Sequence, residues 1–235
     1  MDQVILIDKP SGWTSFDVVA KIRSDLRKNS PQSSVNGKQK LKVGHSGTLD
    51  PFATGLLIIL IGSATKRQDE FMKQDKVYEA TFRLGAVSTT GDPEGEITER
   101  GMLNDERREA TPTTNYHLPS TEEVQKALAK FVGEITQVPP QYSAIKVNGK
   151  KAYELARAGK KVELKPRQVT IYSLELLEYV WPEIKVRAHV SSGTYIRTLA
   201  EDIGKELGTG AYCLELRRTK IGGYEVKDAK TIEDI

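Results

Sequence analysis

Cysteine occurs once in the 235 residues, at Cys213, so no disulfide can form within the chain. Histidine is scarce as well: His45, His117 and His189 show none of the spacings of a metal-ligand set, and no structural metal is expected. A large excess of charge of one sign is missing. The 35 Lys and Arg against 32 Asp and Glu leave a net charge of +3, which permits a nucleic-acid partner without requiring one. No apolar run approaches the roughly 18 residues of a membrane-spanning helix, so no membrane association is expected. The first residues, MDQVILIDKP, lack the basic start of a secretory signal, which makes the cytoplasm the expected location. There is no Gly-Lys-Ser/Thr phosphate loop and no GxGxxG, so nucleotide and dinucleotide cofactors are not expected either.

What is present is a chain with 38% hydrophobic and 29% charged residues, enough for one large or two modest globular domains. Its most informative stretch is Lys42 to Leu60, KVGHSGTLDPFATGLLIIL, a polar loop that runs into an apolar segment. Gly44, Gly47 and Gly55 free the backbone for tight turns or close approach. Pro51 biases Asp50 toward an extended conformation, so its carboxylate sits on a stiff loop. Leu56 to Ile61 has the length and branching of a buried strand, although a short apolar run does not by itself exclude a helix. By composition alone an aspartate in such a loop is more often a turn former than a catalyst.

Upstream, Val4 to Ile7 reads as a strand leading into the turn DKPSGWTS, Asp8 to Ser15. Thr14 or Ser15 can cap the following helix, with Asp17 in its first turn and Val18, Val19, Ile22 and Leu26 on its buried face. Lys28 to Lys42, aperiodic and polar, reads as a mobile surface loop whose lysines could meet phosphates. Downstream, KVYEATFRLG alternates as a strand carrying Tyr78 and ending at Gly85, followed by the acidic turn STTGDPEGEI, Ser88 to Ile97. Arg100 to Pro119 reads as a second loop.

Ser120-Thr121-Glu122-Glu123 is a capping box opening a helix to about Phe131. From Gln137 to Leu164, tyrosines Tyr142 and Tyr153 alternate with Lys146, Lys150, Lys151, Arg157, Lys160 and Lys161, a mixture suited either to an RNA backbone or to an ordinary solvated surface. Arg167 to Tyr179 and Glu183 to Val190 read as antiparallel strands joined at Trp181-Pro182. Ser192 or Thr194 is expected to cap a helix with Ile196, Leu199, Ala200, Ile203 and Leu207 on one face, ended by Gly208. Tyr195 and Arg197 fall in its first turn, where the macrodipole disfavours a cation, so Arg197 is expected to have an anionic partner. Ala211 to Ile221 is a further strand containing Leu216.

The fourteen-residue string GHSGTLDPFATGLL closely resembles the signature of the TruB family of pseudouridine synthases, and DKPSGWTS, the K-x-Y at Tyr78, GTYIRT and the final LRR resemble further family motifs. The resemblance implies an α+β pseudouridine-synthase fold: a long, mixed, mostly antiparallel sheet flanked by helices with a central catalytic cleft. It implies one catalytic domain over residues 1–235 and a thumb-like RNA-binding insertion at about 137–164; most bacterial members carry a further small RNA-binding domain after the LRR segment, for which the chain leaves no room, so no C-terminal PUA domain is expected. The implied reaction is isomerisation of uridine 55 in the T loop of tRNA, with no cofactor, no metal and no guide RNA, by a monomer. Asp50 would be the catalytic carboxylate, either attacking or ion-pairing beside the sugar, and Arg197 would pair with it. Tyr78 would stack on the base and be able to take the C5 proton. His45 would fill the gap left by the flipped base, Tyr195 would line the pocket and Leu216 would pack beside the nucleotide. Lys146, Lys150, Lys151 and Arg157 would meet RNA phosphates, and DKPSGWTS would mainly brace the catalytic loop. Two other readings share part of this pattern. A guide-dependent synthase of the dyskerin type has the HSGTLDP segment, but the string QYSAIKVNGKKAYELARAG argues against it; an RNA-binding module without catalysis would have no need of Asp50, Tyr78 and Arg197 together.

Overall fold

The computed structural model describes residues 2–28, 42–100, 118–143, 145–147, 149–160 and 162–234; of Lys151, Tyr153 and Arg157 it describes the backbone only. The expected loops at 28–42 and 100–119 therefore lie almost entirely outside the described residues, as do the side chains of Lys151 and Arg157.

The elements run in order from β1 (Gln3–Lys9), α1 (Ser15–Lys28), β2 (Val43–Ser46), β3 (Thr54–Ile61) and α2 (Gln68–Met72) to β4 (Lys76–Leu84). Next come β5 (Ala86–Ser88), β6 (Ile97–Glu99), α3 (Thr121–Ala129), β7 (Gly133–Gln137), β8 (Lys146–Val147), β9 (Lys150–Lys151) and α4 (Ala152–Arg157). The chain closes with β10 (Arg167–Val180), β11 (Glu183–Val190), α5 (Ile196–Glu206), β12 (Ala211–Ile221) and β13 (Tyr224–Glu225). Among the described residues nine strands belong to one mixed sheet, so the fold is α+β as expected. By contacts the chain divides into two compact units, Met1–Glu79 with Leu216–Ile235, and Ala80–Glu215; β4 and β12 contribute residues to both.

In the first unit β3 is the central strand. It pairs antiparallel with β1 from Gln3↔Ile61 to Lys9↔Gly55, antiparallel with β2 over Ile58 to Ile61, and parallel with β12 at Thr54 and Gly55. Leu57, Ile59 and Ile61 pack on Val18, Val19 and Ile22 of α1, while Leu56, Ile58 and Leu60 on the other face pack against Ala64, Phe71 and Ile221. Burial on both faces is why this strand is an unbroken apolar run rather than an alternating one. Thr14 and Asp17 cap α1 reciprocally: the Asp17 N–H donates to Thr14 Oγ1, and the Thr14 hydroxyl and N–H both donate to the Asp17 carboxylate, whose pKa these last two bonds lower, the hydroxyl's first.

In the second unit β10 pairs antiparallel with β11 and with β7, and the turn into β11 contains a cis Trp181–Pro182 peptide. The capping box at α3 forms as the pattern predicts, with Ser120 and Glu123 each bonded to the other's backbone N–H. The caps expected for α5 do not form: its N-cap is Tyr195, with no side-chain cap bond, because the Thr194 hydroxyl donates to the Ser191 carbonyl instead. Ala152, Val162 and Leu164 make a small core of their own with Ile145, Val147 and Leu155, over which the β8–β9 hairpin and α4 are built.

Candidate active site

Asp50 lies on residues 47–53, the connection between β2 and β3. The DKPSGWTS segment braces this connection, as the sequence suggests. The Lys9 ammonium is fully buried and donates to the carbonyls of Pro10 (2.8 Å), Trp13 (2.7 Å) and Pro51 (3.3 Å). The Gly12 N–H donates to the same Pro51 carbonyl at 2.8 Å, and the Ser11 hydroxyl to Phe52 O at 3.2 Å. Ser15 Oγ both accepts from the Leu49 N–H (2.8 Å) and donates to Leu49 O (3.1 Å). The residues on either side of Asp50 are therefore tied to β1, the turn after it and the start of α1. A backbone held at this many points leaves a carboxylate little freedom to reorganise, which is the preorganisation a reacting group needs.

The two arginines after Leu216 diverge because successive strand residues face opposite ways. Arg217 grips the Asp8 carboxylate through both terminal nitrogens, at 3.0 and 2.7 Å. Arg218 points inward and is 1% exposed; its Nε donates to Leu56 O (2.8 Å), its Nη2 to Gly47 O (3.1 Å) and its Nη1 to Thr48 O (3.5 Å). Gly55 has φ +101°, and a Cβ there would lie 2.3 Å from the Arg218 carbonyl, so the position admits glycine alone. Gly47, at φ +86°, also needs its freedom, whereas Gly44 does not: it sits in β2 without a positive φ.

The other expected groups of this unit are placed as follows. His45 lies in β2, its carbonyl accepting from Gln68 Nε2 at 3.1 Å. Tyr78 in β4 and Leu216 in β12 are both buried. Lys76, two residues before Tyr78, donates to the carbonyls of Met72 and Gln74; burial above all, and then the charge of Arg218, push its amine down to about 8.

In the second unit, Tyr195 and Arg197 stand at the start of α5. Arg197 is buried, and the anion it was expected to need is present: Nη1 meets the Asp92 carboxylate at 2.9 Å, each side chain no more than 5% exposed. Nη1 also donates to Thr90 O and Nη2 to Tyr142 O, both at 2.8 Å. The Asp92 carboxylate further accepts from Thr90 Oγ1 (2.5 Å) and the Glu94 N–H (3.1 Å), so the acidic turn folds around its own aspartate and presents it to the arginine. In the sequence Asp92 looks like ordinary turn chemistry; the signal it leaves is a cation in the first turn of α5 with an acidic, proline-stiffened turn elsewhere. Glu201, one turn further along α5, has its carboxyl pKa raised by burial. Gln137 is likewise not apparent from sequence: it is buried, and its amide brackets Tyr195, donating to Tyr195 O (3.3 Å) and accepting from the Tyr195 N–H (3.1 Å).

The β8–β9 hairpin pairs Lys146 with Lys151 and Val147 with Lys150, and Lys146 and Lys150 are exposed. Among the described residues no group of three or more His, Cys, Asp or Glu is placed to hold a metal ion, and no helix is long and apolar enough to cross a membrane.

With this geometry in view, comparison with known proteins gives consistent matches. Residues 35–196 match the model of the TruB family pseudouridylate synthase N-terminal domain, and residues 197–235 that of the tRNA pseudouridylate synthase B C-terminal domain. A tRNA pseudouridine synthase B of Endomicrobium trichonymphae is 47% identical over 235 residues, covering 100% of this chain and 91% of the relative. One from Aquifex aeolicus is 44% identical over 238 residues, covering 100% of this chain and 73% of the relative. Among solved structures, a chain of a Cbf5-Nop10-Gar1 complex superposes with a TM-score of 0.67 at 29% identity, over 98% of this chain and 52% of that one. The chain thus spans about half the length of that neighbour.

Proposed function

The chain belongs to the TruB family of pseudouridylate synthases, and on that premise we propose that it isomerises uridine 55 in the T loop of tRNA, without a guide RNA. The observation that carries this reading is the bracing of Asp50: the GHSGTLDP loop is held from both sides by buried Lys9, Ser15 and Arg218, so that a single carboxylate is offered in a fixed place. The reaction breaks the N1–C1′ bond, turns the base, joins C5 to C1′ and moves the C5 proton away. It is an internal exchange and needs no outside electron pair. Asp50 supplies the carboxylate beside the sugar, as nucleophile or as ion-pairing partner. Arg197 is the cation assigned to keep that carboxylate ionised, and Asp92 with two carbonyls fixes the arginine's own orientation.

The target base must leave its stack, at a cost of a few kcal/mol. Tyr78 stacks on it and can take the C5 proton, Leu216 and Tyr195 border it, and His45 fills the vacated space. Lys146, Lys150, Lys151 and Arg157 take phosphates of the T stem. The enzyme acts as a monomer in the cytoplasm, where tRNA is processed. A guide-dependent activity is the second reading, favoured by the superposition on a Cbf5 chain at 29% identity. Against it stand relatives of 44–47% identity, matched over the whole of this chain, that are named tRNA pseudouridine synthase B.

Release of tritium from C5-labelled T-stem-loop RNA separates the readings. Release by the protein alone, abolished by Asp50→Asn, is expected; release only on addition of a guide RNA, or binding with no release at all, refutes the proposal.

A further inference from the structure

Arg218 is the largest fully buried side chain among the described residues, and its guanidinium donates to three peptide carbonyls: Gly47 and Thr48, where the chain leaves β2 for the Asp50 loop, and Leu56, just after the loop has entered β3. A cation taken out of water ordinarily requires a carboxylate beside it. Its neighbour Arg217, whose side chain is 40% exposed, closes on a carboxylate, Asp8. Arg218 instead directs its planar fork at both limbs of one loop, two and three residues before Asp50 and six after it.

The backbone of Arg218 makes the same contact. It pairs with Gly55 in the parallel β12–β3 ladder, so closely that no Cβ fits at Gly55, and Gly47 keeps its positive φ with Arg218 Nη1 3.6 Å from where a Cβ would stand. Loop and arginine fit one another through three hydrogen bonds and two glycines.

We propose that Arg218 is a positioning residue for the reaction: it acts through the backbone of residues 47–56 to fix the Asp50 carboxylate, and it touches neither the RNA nor the reacting atoms. A guanidinium is required because its N–H groups diverge in one plane, whereas an ammonium is a point charge that cannot span carbonyls on both limbs. The inference rests on the assignment of Asp50 as the catalytic carboxylate. The buried charge also accounts for part of the lowered pKa of Lys76.

The test compares wild type with Arg218→Lys and Arg218→Gln on C5-tritiated T-stem-loop RNA. Single-turnover rates are expressed per folded molecule, and RNA affinity and amide hydrogen exchange over residues 44–58 are measured alongside. The expected result for Arg218→Lys is a rate about 100-fold down, the size associated with roughly an ångström of misplacement, with RNA affinity within about threefold of wild type and faster exchange confined to the loop. Millimolar guanidinium should restore part of the rate to Arg218→Gln and none to Asp50→Asn. Rates per folded molecule within about threefold of wild type in both variants overturn the inference, as does a rate loss matched by an equal loss of RNA affinity. If Arg218→Lys does not fold, Arg218→Gln with guanidinium decides, since recovery of folding without recovery of rate overturns the proposal too. A wild-type protein that releases no tritium sinks the parent reading instead, whereas a fully active wild type with indifferent variants sinks only this one.

Discussion

Removal of the Asp92 carboxylate is the sharpest test of how the second unit holds its arginine. Asp92 and Arg197 meet at 2.9 Å with side chains 3% and 5% exposed, so neither charge is relieved by water. Asp92→Ala deletes one half of a buried pair, a change that costs about 3–5 kcal/mol, and strips the acceptor from Thr90 Oγ1 and the Glu94 N–H as well. Against a total stability of about 5–15 kcal/mol that is a fifth or more of what keeps a domain folded. Asp92→Asn separates the two effects. Its amide oxygen can still accept from Thr90 and Glu94, keeping the turn, while its amide hydrogens oppose the guanidinium's own donors. Urea denaturation followed by circular dichroism should therefore rank wild type above Asp92→Asn and that above Asp92→Ala. Under conditions where the variants remain folded, both should isomerise T-arm RNA about 100-fold more slowly, because the arginine loses its orienting anchor. A loss of less than about 1 kcal/mol for Asp92→Ala, or full activity in Asp92→Asn, would refute the argument that this pair is buried, uncompensated by solvent and tied to the chemistry.

Gly55→Ala combines a strained φ of +101° with a 2.3 Å clash on the Arg218 carbonyl and should cost about 3 kcal/mol or more by denaturant titration, whereas Gly12→Ala, at φ +81° with open space around it, should cost only about 1–2 kcal/mol. Replacing Lys146 and Lys150 with glutamine should lower the slope of log affinity for T-arm RNA against log salt by about 0.9 for each duplex phosphate that the lysines neutralise, leaving the saturated rate unchanged; an unaltered slope removes them from the RNA interface. Lys76, lowered to about 8 in the folded chain from an ordinary 10.5, binds less proton there than when unfolded. Its penalty is therefore fully present below pH 8 and is relieved as pH rises from about 8 to 10.5, so melting temperatures across that window should rise less in Lys76→Met than in wild type.

Much of the local structure is legible in the chain itself. Leu56 to Ile61 reads as a strand because branched apolar residues without interruption suit a strand covered on both faces, and β3 is covered in that way by α1 on one side and by Phe71 and Ile221 on the other. The capping box at Ser120 and the strand pair around Trp181-Pro182 are equally plain, since both depend on residues within a few positions of one another. The motif that singles out Asp50 as the candidate carboxylate is local in the same way. That Arg197 needs an anion follows from its place in the first turn of α5.

Which anion lies in Arg197's own unit does not follow. Asp92 is 105 residues away, and nothing in a turn-forming Gly-Asp-Pro distinguishes an aspartate that only folds its own turn from one that also meets a guanidinium. Arg217 and Arg218 are adjacent and chemically identical, yet one reaches a carboxylate on β1 and the other three carbonyls around the Asp50 loop, because strand pleating sends them to opposite faces and the loop lies against only one of those faces. Periodicity, caps and turns are settled by near-neighbour sterics, which the order of residues carries directly. The partner of a buried charge is settled by which distant backbone the fold brings alongside it, and only the assembled sheet decides that.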